Sequence, residues 1–163
     1  MKWTLSHRFD RRALPLADRH YNRRKRGTPQ FTSPGRTLVL LTAAADAVWV
    51  STWPYETFAW HAWAGAWVNT LFRNESDVLA SELIAEAVQA TRFWWGEPPA
   101  RAYPIVTFID PDNVRPKRDP GYCYLMAGWE RIGITKRDLV VLGLPAAKMP
   151  LAEAPVGAQY RLA

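Results

Sequence analysis

The sequence predicts a single mixed α/β (α+β) domain, a central mixed sheet with helices on both faces. Three observations carry this. The chain has 163 residues, 48% of them hydrophobic and 22% charged, which suits one globular core. Two apolar, β-branched runs, residues 37–41 and 47–53, flank a turn-like Ala43-Ala-Ala-Asp and read as a hairpin. A long amphipathic helix then lies between a strand at 66–73 and a buried run at 105–109. A helix joining two neighbouring strands implies a right-handed crossover and local parallel pairing, whereas hairpins make the rest antiparallel.

The remaining elements follow in order. Residues 11–21 read as a short helix carrying Leu14, Leu16 and Ala17, with Pro15 tolerated only near its first turn. Residues 23–34 form a basic loop punctuated by glycine and proline, and residues 54–64 an aromatic-rich connection. In the strand at 66–73, Asn69, Leu71 and Arg73 alternate against Val68, Thr70 and Phe72. Asn74 or Ser76 caps the long helix, which runs to about Trp94 with Leu79, Leu83, Ala87 and Val88 as its buried stripe. The continuous apolar run at 105–109 fits a strand buried on both faces. Pro120-Gly starts a short helix that Gly128 stops. Residues 131–135 and 139–144 make a closing hairpin around Lys136-Arg-Asp. The domain is expected to span residues 1–145, with its basic helix and loop at about 11–36. Residues 146–163, rich in Pro and Ala, are expected to trail over the surface.

Composition narrows the partners. The longest apolar stretch, Thr37 to Val50, is interrupted by Asp46 and is too short to span a bilayer, so no membrane partner is expected. The first ten residues hold no apolar core of a signal peptide, and the single cysteine, Cys123, cannot form an internal disulfide. A reducing cytoplasm is the expected setting. The net charge is +6 and the pI about 9.8. The excess is concentrated before residue 37, where Lys2, Arg8, Arg11, Arg12, Arg19, Arg23, Arg24, Lys25, Arg26 and Arg36 face only Asp10 and Asp18. Arg19, Arg23, Arg24, Lys25 and Arg26 are the candidates for phosphate contacts to a polyanionic partner such as a nucleic acid, or else a solvated charge run.

Several side chains could carry chemistry. His20 and Tyr21 end the first helix beside the basic loop, where a histidine serves as base, ligand or phosphate contact, or simply as an exposed helix-end residue. Asp110 follows the buried strand directly, the place where open α/β sheets bind ligands, or it caps its own Asp-Pro turn. Asp112 is its rival. Tyr122 and Tyr124 are two apart on a short helix, so one packs and the other lines the groove. Cys123 between them reads as a small buried residue. His20, Asp110 and a tyrosine would suit an iron-like ion, although their spacing matches no recognised metal signature. His7 and His61 read as surface or loop histidines. Five of the nine tryptophans lie between residues 49 and 67. Trp60 and Trp63, near Gly65, are the candidates for stacking on a flat ring such as a nucleic-acid base.

The element order resembles the GNAT acyltransferases. The segment Pro120-Gly-Tyr-Cys-Tyr-Leu-Met-Ala-Gly-Trp looks like the GNAT helix that ends in an aromatic-x-x-x-Gly-aromatic pattern, with Tyr124, Gly128 and Trp129 in those places. That segment and four others resemble the Mom-type subgroup of phage DNA-modification proteins: His20-Tyr21 before the basic run and Thr28-Pro-Gln-Phe; Pro34-Gly-Arg; Leu71-Phe-Arg-Asn-Glu; and Thr107-Phe-Ile-Asp-Pro. Together they span roughly residues 18 to 142. The resemblance implies transfer of an acyl-derived, carbamoylmethyl-like group to the exocyclic amine of adenine in DNA, protecting it from restriction. It implies His20, Tyr21, Asp110, Tyr122 and Tyr124 as catalytic residues, and Arg73, Asn74 and Tyr124 beside the donor. An acyl-CoA or another small donor fits this class. However, the strand-to-helix junction Arg73-Asn-Glu-Ser-Asp has no glycine and carries two carboxylates, which argues against the usual pyrophosphate loop. The alternatives are an N-acetyltransferase for a small or protein amine, and an inactive GNAT-like DNA-binding module.

Overall fold

The computed structural model describes residues 1–55, 61–114 and 119–158. Seven strands form one sheet in the order β1-β2-β3-β4-β5-β7-β6. They are β1 (Trp3–Ser6), β2 (Arg36–Thr42), β3 (Ala47–Trp53), β4 (Trp67–Asn74), β5 (Ile105–Ile109), β6 (Glu130–Ile134) and β7 (Val140–Leu144). The helices are α1 (Leu14–Asp18), α2 (Ala80–Trp95) and α3 (Tyr122–Met126). β4 and β5 pair in parallel across the α2 crossover, and the other neighbours are antiparallel. The mixed α+β fold class thus stands.

Both faces of the sheet are buried, which is why β2 and β3 read as continuous apolar runs. On one face Leu38, Leu40, Trp49, Trp67 and Ile105 pack against Leu83, Ile84, Ala87 and Val88 of α2. On the other, Val39, Leu41, Val48, Val50 and Leu71 pack against Leu16 and Ala17 of α1 and against Phe31.

Four local readings change. β1 is an additional edge strand, too short to show a period. Its Trp3 is fully buried and donates its indole N–H to the Leu83 carbonyl at 2.8 Å. α1 covers residues 14–18 only, because Asp10 organises the preceding turn by accepting from the Arg12 amide at 2.9 Å. α2 starts at Ala80, not at Asn74 or Ser76. The Asn74 carboxamide accepts from the Ser76 amide at 2.9 Å and the Ser76 hydroxyl from the Val78 amide at 3.2 Å. These side chains stabilise a turn that competes with helix, and Leu79 is left exposed, outside the buried stripe. The C-terminal segment is attached rather than trailing. The Glu153 amide donates to Gln89 of α2, and Val156 bridges β1 through the Trp3 carbonyl at 2.8 Å.

One irregularity positions the site. Val50 pairs with Leu71 but Ser51 with Asn69, so Thr70 is an extra, bulged residue in β4. The bulge breaks the expected alternation: Asn69 and Phe72 contact the α2/α3 side, whereas Leu71 packs on the α1 side. Pairing between β4 and β5 stops at Asn69 and Thr107, although β4 continues to Asn74 and β5 to Ile109. The two strands therefore part beyond the bulge.

Candidate active site

A cavity of about 160 Å³ occupies this parting. Leu71 and Phe72 of β4 and Phe108 and Ile109 of β5 form its walls. His20, Tyr21 and Asn22, which follow α1, close one side, and Cys123 and Tyr124 of α3 the other. Gly121 lets α3 enter here. Its φ is +75°, and a Cβ at this position would overlap Leu142.

Asn69 is the hub. Its amide donates to the Val50 carbonyl at 2.9 Å and the Leu71 carbonyl at 3.0 Å, satisfying acceptors that the bulge leaves over. Its side-chain oxygen accepts from the Tyr124 hydroxyl, and the Thr107 hydroxyl donates to its main-chain carbonyl at 3.0 Å. Tyr124 is thereby fixed at the mouth of the strand gap. Burial pushes its phenol well above the ordinary range, so it stays protonated.

A second chain of bonds orients His20. The Asn22 amide donates to the Thr70 carbonyl at 2.8 Å, which leaves the Asn22 oxygen as an acceptor 2.6 Å from His20 Nδ1. The Asn22 main-chain N–H also approaches Nδ1, at a longer 3.3 Å. The shorter contact favours the tautomer with the hydrogen on Nδ1 and an open lone pair on Nε2. Burial lowers the His20 pKa, opposed by the bond to Asn22 and reinforced by Arg73, so the ring is neutral at pH 7. Tyr21 stacks on it with centroids 4.5 Å apart and accepts from the Asp110 amide at 3.3 Å. Burial raises the Tyr21 phenol.

The other predicted residues divide. Asp110 reaches this cluster through its main chain. Its carboxylate accepts from the Asp112 amide at 3.0 Å and the Asn113 side chain at 2.6 Å, capping its own turn, and borders an adjoining cleft with Tyr21 and Asn22. Asp112 serves that turn. Tyr122 is 49% exposed and lies off the cavity, so Tyr124 is the tyrosine that lines it. Cys123 lines the cavity, and burial raises its thiol pKa. Arg73 binds Glu75 and the Arg19 carbonyl, and Asn74 is consumed by its turn, so neither is presented to a donor. His20 and Asp110 do not converge as ligands. Among the described residues no group of three or more His, Cys, Asp or Glu could hold a metal ion.

The basic loop also divides. Arg23 is an internal brace, donating to Asp18 at 2.7 Å and to the carbonyls of Thr28 and Gln30. Arg19 pairs with Glu75. Arg24, Lys25 and Arg26 are exposed, and Arg26 shares a cleft with Arg11, Arg19 and Arg73. Trp63 is half-buried over Gly133 and Phe108. Trp60 lies outside the described residues.

Three amides of the turn before α2 are already bonded. The Glu75 amide donates to Asp46 at 2.8 Å, and the Ser76 and Val78 amides to side chains of their own turn. Glu75 sits there as a carboxylate, held down to about 2 by Arg19 first and then Arg73. Sequence reading missed Asn22, Asn69 and Thr107. Asn69 was visible as an amide inside an apolar strand, the mark of a bulge or a buried network, and Asn22 as the direct neighbour of His20-Tyr21. Comparison with known proteins finds no matching family model, no matching curated protein and no matching solved structure. No helix among the described residues is long and apolar enough to cross a membrane.

Proposed function

We propose that the chain is a GNAT-like, Mom-type transferase that attaches a small carbamoylmethyl-like group to the exocyclic amine of adenine in DNA. The observation that carries this reading is the pairing of two opposite groups at the strand gap. His20 is neutral with a free Nε2, and Tyr124 is buried and protonated. An adenine amine is a poor nucleophile because its lone pair is delocalised into the ring, so it must lose a proton as it attacks. In the proposed step the amine nitrogen bonds the donor carbon and its proton passes to His20 Nε2. The bond from donor carbon to leaving group breaks, and the leaving group departs with that electron pair and takes the Tyr124 proton. Asn22 holds the imidazole in the working tautomer, as an orienting group does in general-base pairs. Asp110, at the rim, orients the amine through its remaining lone pairs.

The exposed Arg24, Lys25 and Arg26, with Arg11 lining the same cleft as Arg26, support a polyanionic partner next to this centre. The glycine-free turn before α2 and the Glu75 carboxylate held in it favour a donor other than one held by the usual CoA pyrophosphate contact, and leave an ordinary N-acetyltransferase as the second reading. Mass analysis of nucleosides from cells expressing the chain tests the proposal. A deoxyadenosine adduct absent from control cells is expected. Unmodified nucleosides together with newly acetylated amines would overturn it.

A further inference from the structure

β1 stops short of its neighbour. Its last paired residue is Ser6, opposite Val39, whereas β2 begins at Arg36. The outer edge of β2 over residues 36–38 therefore has no described strand beside it, and a cleft of about 640 Å³ fills this notch. Residues 5–8, which leave β1, and residues 36–39 of β2 line it, with Trp53 at the end of β3 and Trp94 and Trp95 at the end of α2. The notch shares no described lining residue with the strand gap. Its volume lies within the range of about 300–1,000 Å³ usual for small-ligand clefts.

Charge sets the notch apart. Arg8 is half-buried, yet no carboxylate pairs with it among the described residues. The other half-buried arginines described each have one: Arg23 meets Asp18 at 2.7 Å, Arg73 meets Glu75 at 2.8 Å and Arg92 meets Glu97 at 3.7 Å. Withdrawing a cation from water without a counter-charge is costly. Arg8 is nevertheless held in place. Its Nη2 donates to the Thr37 hydroxyl at 2.7 Å and to the Gly35 carbonyl at 3.3 Å, and among the described residues Nε and Nη1 have no acceptor. Arg36 brings a second cation to the same cleft, its guanidinium 5.2 Å from the centroid of the Trp53 ring. No Asp or Glu is among the described lining residues.

The opposite wall is aromatic. Trp53 packs on Trp95 with centroids 5.9 Å apart, and Trp94 and Trp95 are only half-buried. These two close α2, where unpaired carbonyls put partial negative charge. An anion therefore belongs at the arginine end of the notch and an uncharged ring at the tryptophan end.

We propose that the notch holds one nucleotide of a single-stranded nucleic acid, its phosphate on Arg8 and Arg36 and its base against Trp94 and Trp95. Guanidinium groups match phosphate oxygens with paired N–H donors. Cations beside aromatic platforms are how proteins hold single strands without reading their sequence. A neutral ligand would leave Arg8 uncompensated, and a small inorganic anion would leave the tryptophan wall uncovered. The proposal goes beyond the transfer reaction and needs neither the strand gap nor the basic loop.

Photocrosslinking tests it. The full chain is irradiated with a short thymidine oligonucleotide carrying iodouracil, then digested with trypsin. The oligonucleotide has no adenine, so recognition of adenine at the strand gap cannot produce the result. A crosslink is expected on Phe93–Arg101, the tryptic peptide that holds Trp94 and Trp95. In anisotropy titrations, Arg36→Gln should flatten the log–log salt slope by about 0.7 and the Arg8→Gln, Arg36→Gln double variant by about 1.4, at roughly 0.7 per phosphate contact on a single strand. Arg36 is exposed, so its replacement leaves the fold intact. No binding by the folded wild type, crosslinks that all fall outside Phe93–Arg101, or an unchanged slope in Arg36→Gln would overturn the proposal. Thymidine monophosphate competing as well as the oligonucleotide would also overturn it, because the notch would then serve a free nucleotide. The two proposals fail separately. A crosslink on Phe93–Arg101 without any DNA adduct in cells sinks the transferase reading alone, and an adduct without that crosslink sinks the notch alone.

Discussion

Replacing Glu75 with glutamine removes the charge that ties the loop after α1 to the end of β4. The carboxylate accepts from Arg19 Nε at 2.8 Å and Arg19 Nη2 at 2.5 Å, and from Arg73 Nε at 2.9 Å. The folded protein holds this carboxyl down from 4.5 to about 2. Taken at face value that difference is worth about 3 kcal/mol. Glu75 is 30% exposed and Arg19 50%, and solvent screening at such exposure reduces the figure to about 1–2 kcal/mol. For a chain of this size that is a fall of about 3–6 °C in Tm at pH 7. The sign of the pH dependence is fixed. A carboxyl with a lowered folded pKa contributes stability above pH 4.5, and the contribution disappears as pH falls towards 2. Guanidinium melts of the wild type and Glu75→Gln at pH 7, 5 and 3 should show a gap that closes below pH 4.5. No gap at pH 7, or a gap independent of pH, would refute the assignment of Glu75 as the tether.

The basic loop should respond to mutation in two ways. Replacing Arg24, Lys25 and Arg26 with alanine should flatten the log–log salt slope of duplex DNA binding by up to about 2.7 with little change in Tm. By contrast, Arg23→Ala should lower Tm, because it removes a brace that is 9% exposed. Gly121→Ala should cost more than about 2 kcal/mol in denaturant melts, since a Cβ at φ +75° meets Leu142 and displaces the helix that carries Tyr124. Transfer activity should be flat between pH 7 and 8 and fall only below pH 6.5, because His20 works in its neutral form and burial lowers its pKa from that value. A rate profile with its midpoint above 6.5 would contradict this.

The parts of the fold legible in the sequence were those with strong local signals. The β2–β3 hairpin and β5 are dense β-branched runs, and their bounds fall within one or two residues of those expected. β1 escaped because four residues with one buried tryptophan carry no period. The start of α2 escaped because Asn74 and Ser76 serve equally in a helix cap and in a competing turn, and only tertiary placement decides between them. In the site, His20, Tyr21 and Tyr124 were legible as chemistry-bearing types near element ends. Their relation was not, because a one-residue bulge at Thr70 sets it. That bulge frees the Val50 and Leu71 carbonyls for Asn69 and turns the Thr70 carbonyl to Asn22. Two asparagines thus place the histidine and the tyrosine, and neither announces its partner in sequence. Charge was legible as a total but not as a distribution. The run from Arg23 to Arg26 looks uniform, yet Arg23 is spent on Asp18 and two carbonyls.

The transfer reading makes the gap between β4 and β5 the reacting centre. The direct measurement is the modified fraction of deoxyadenosine in DNA from cells expressing His20→Gln, compared with Tyr122→Phe at equal soluble protein. Tyr122 lies off the cavity and His20 lines it. Tyr122→Phe should leave the modified fraction at the wild-type level, and His20→Gln should reduce it at least about a hundredfold, the scale of a lost general base. Wild-type modification in His20→Gln cells would contradict a reaction at this gap.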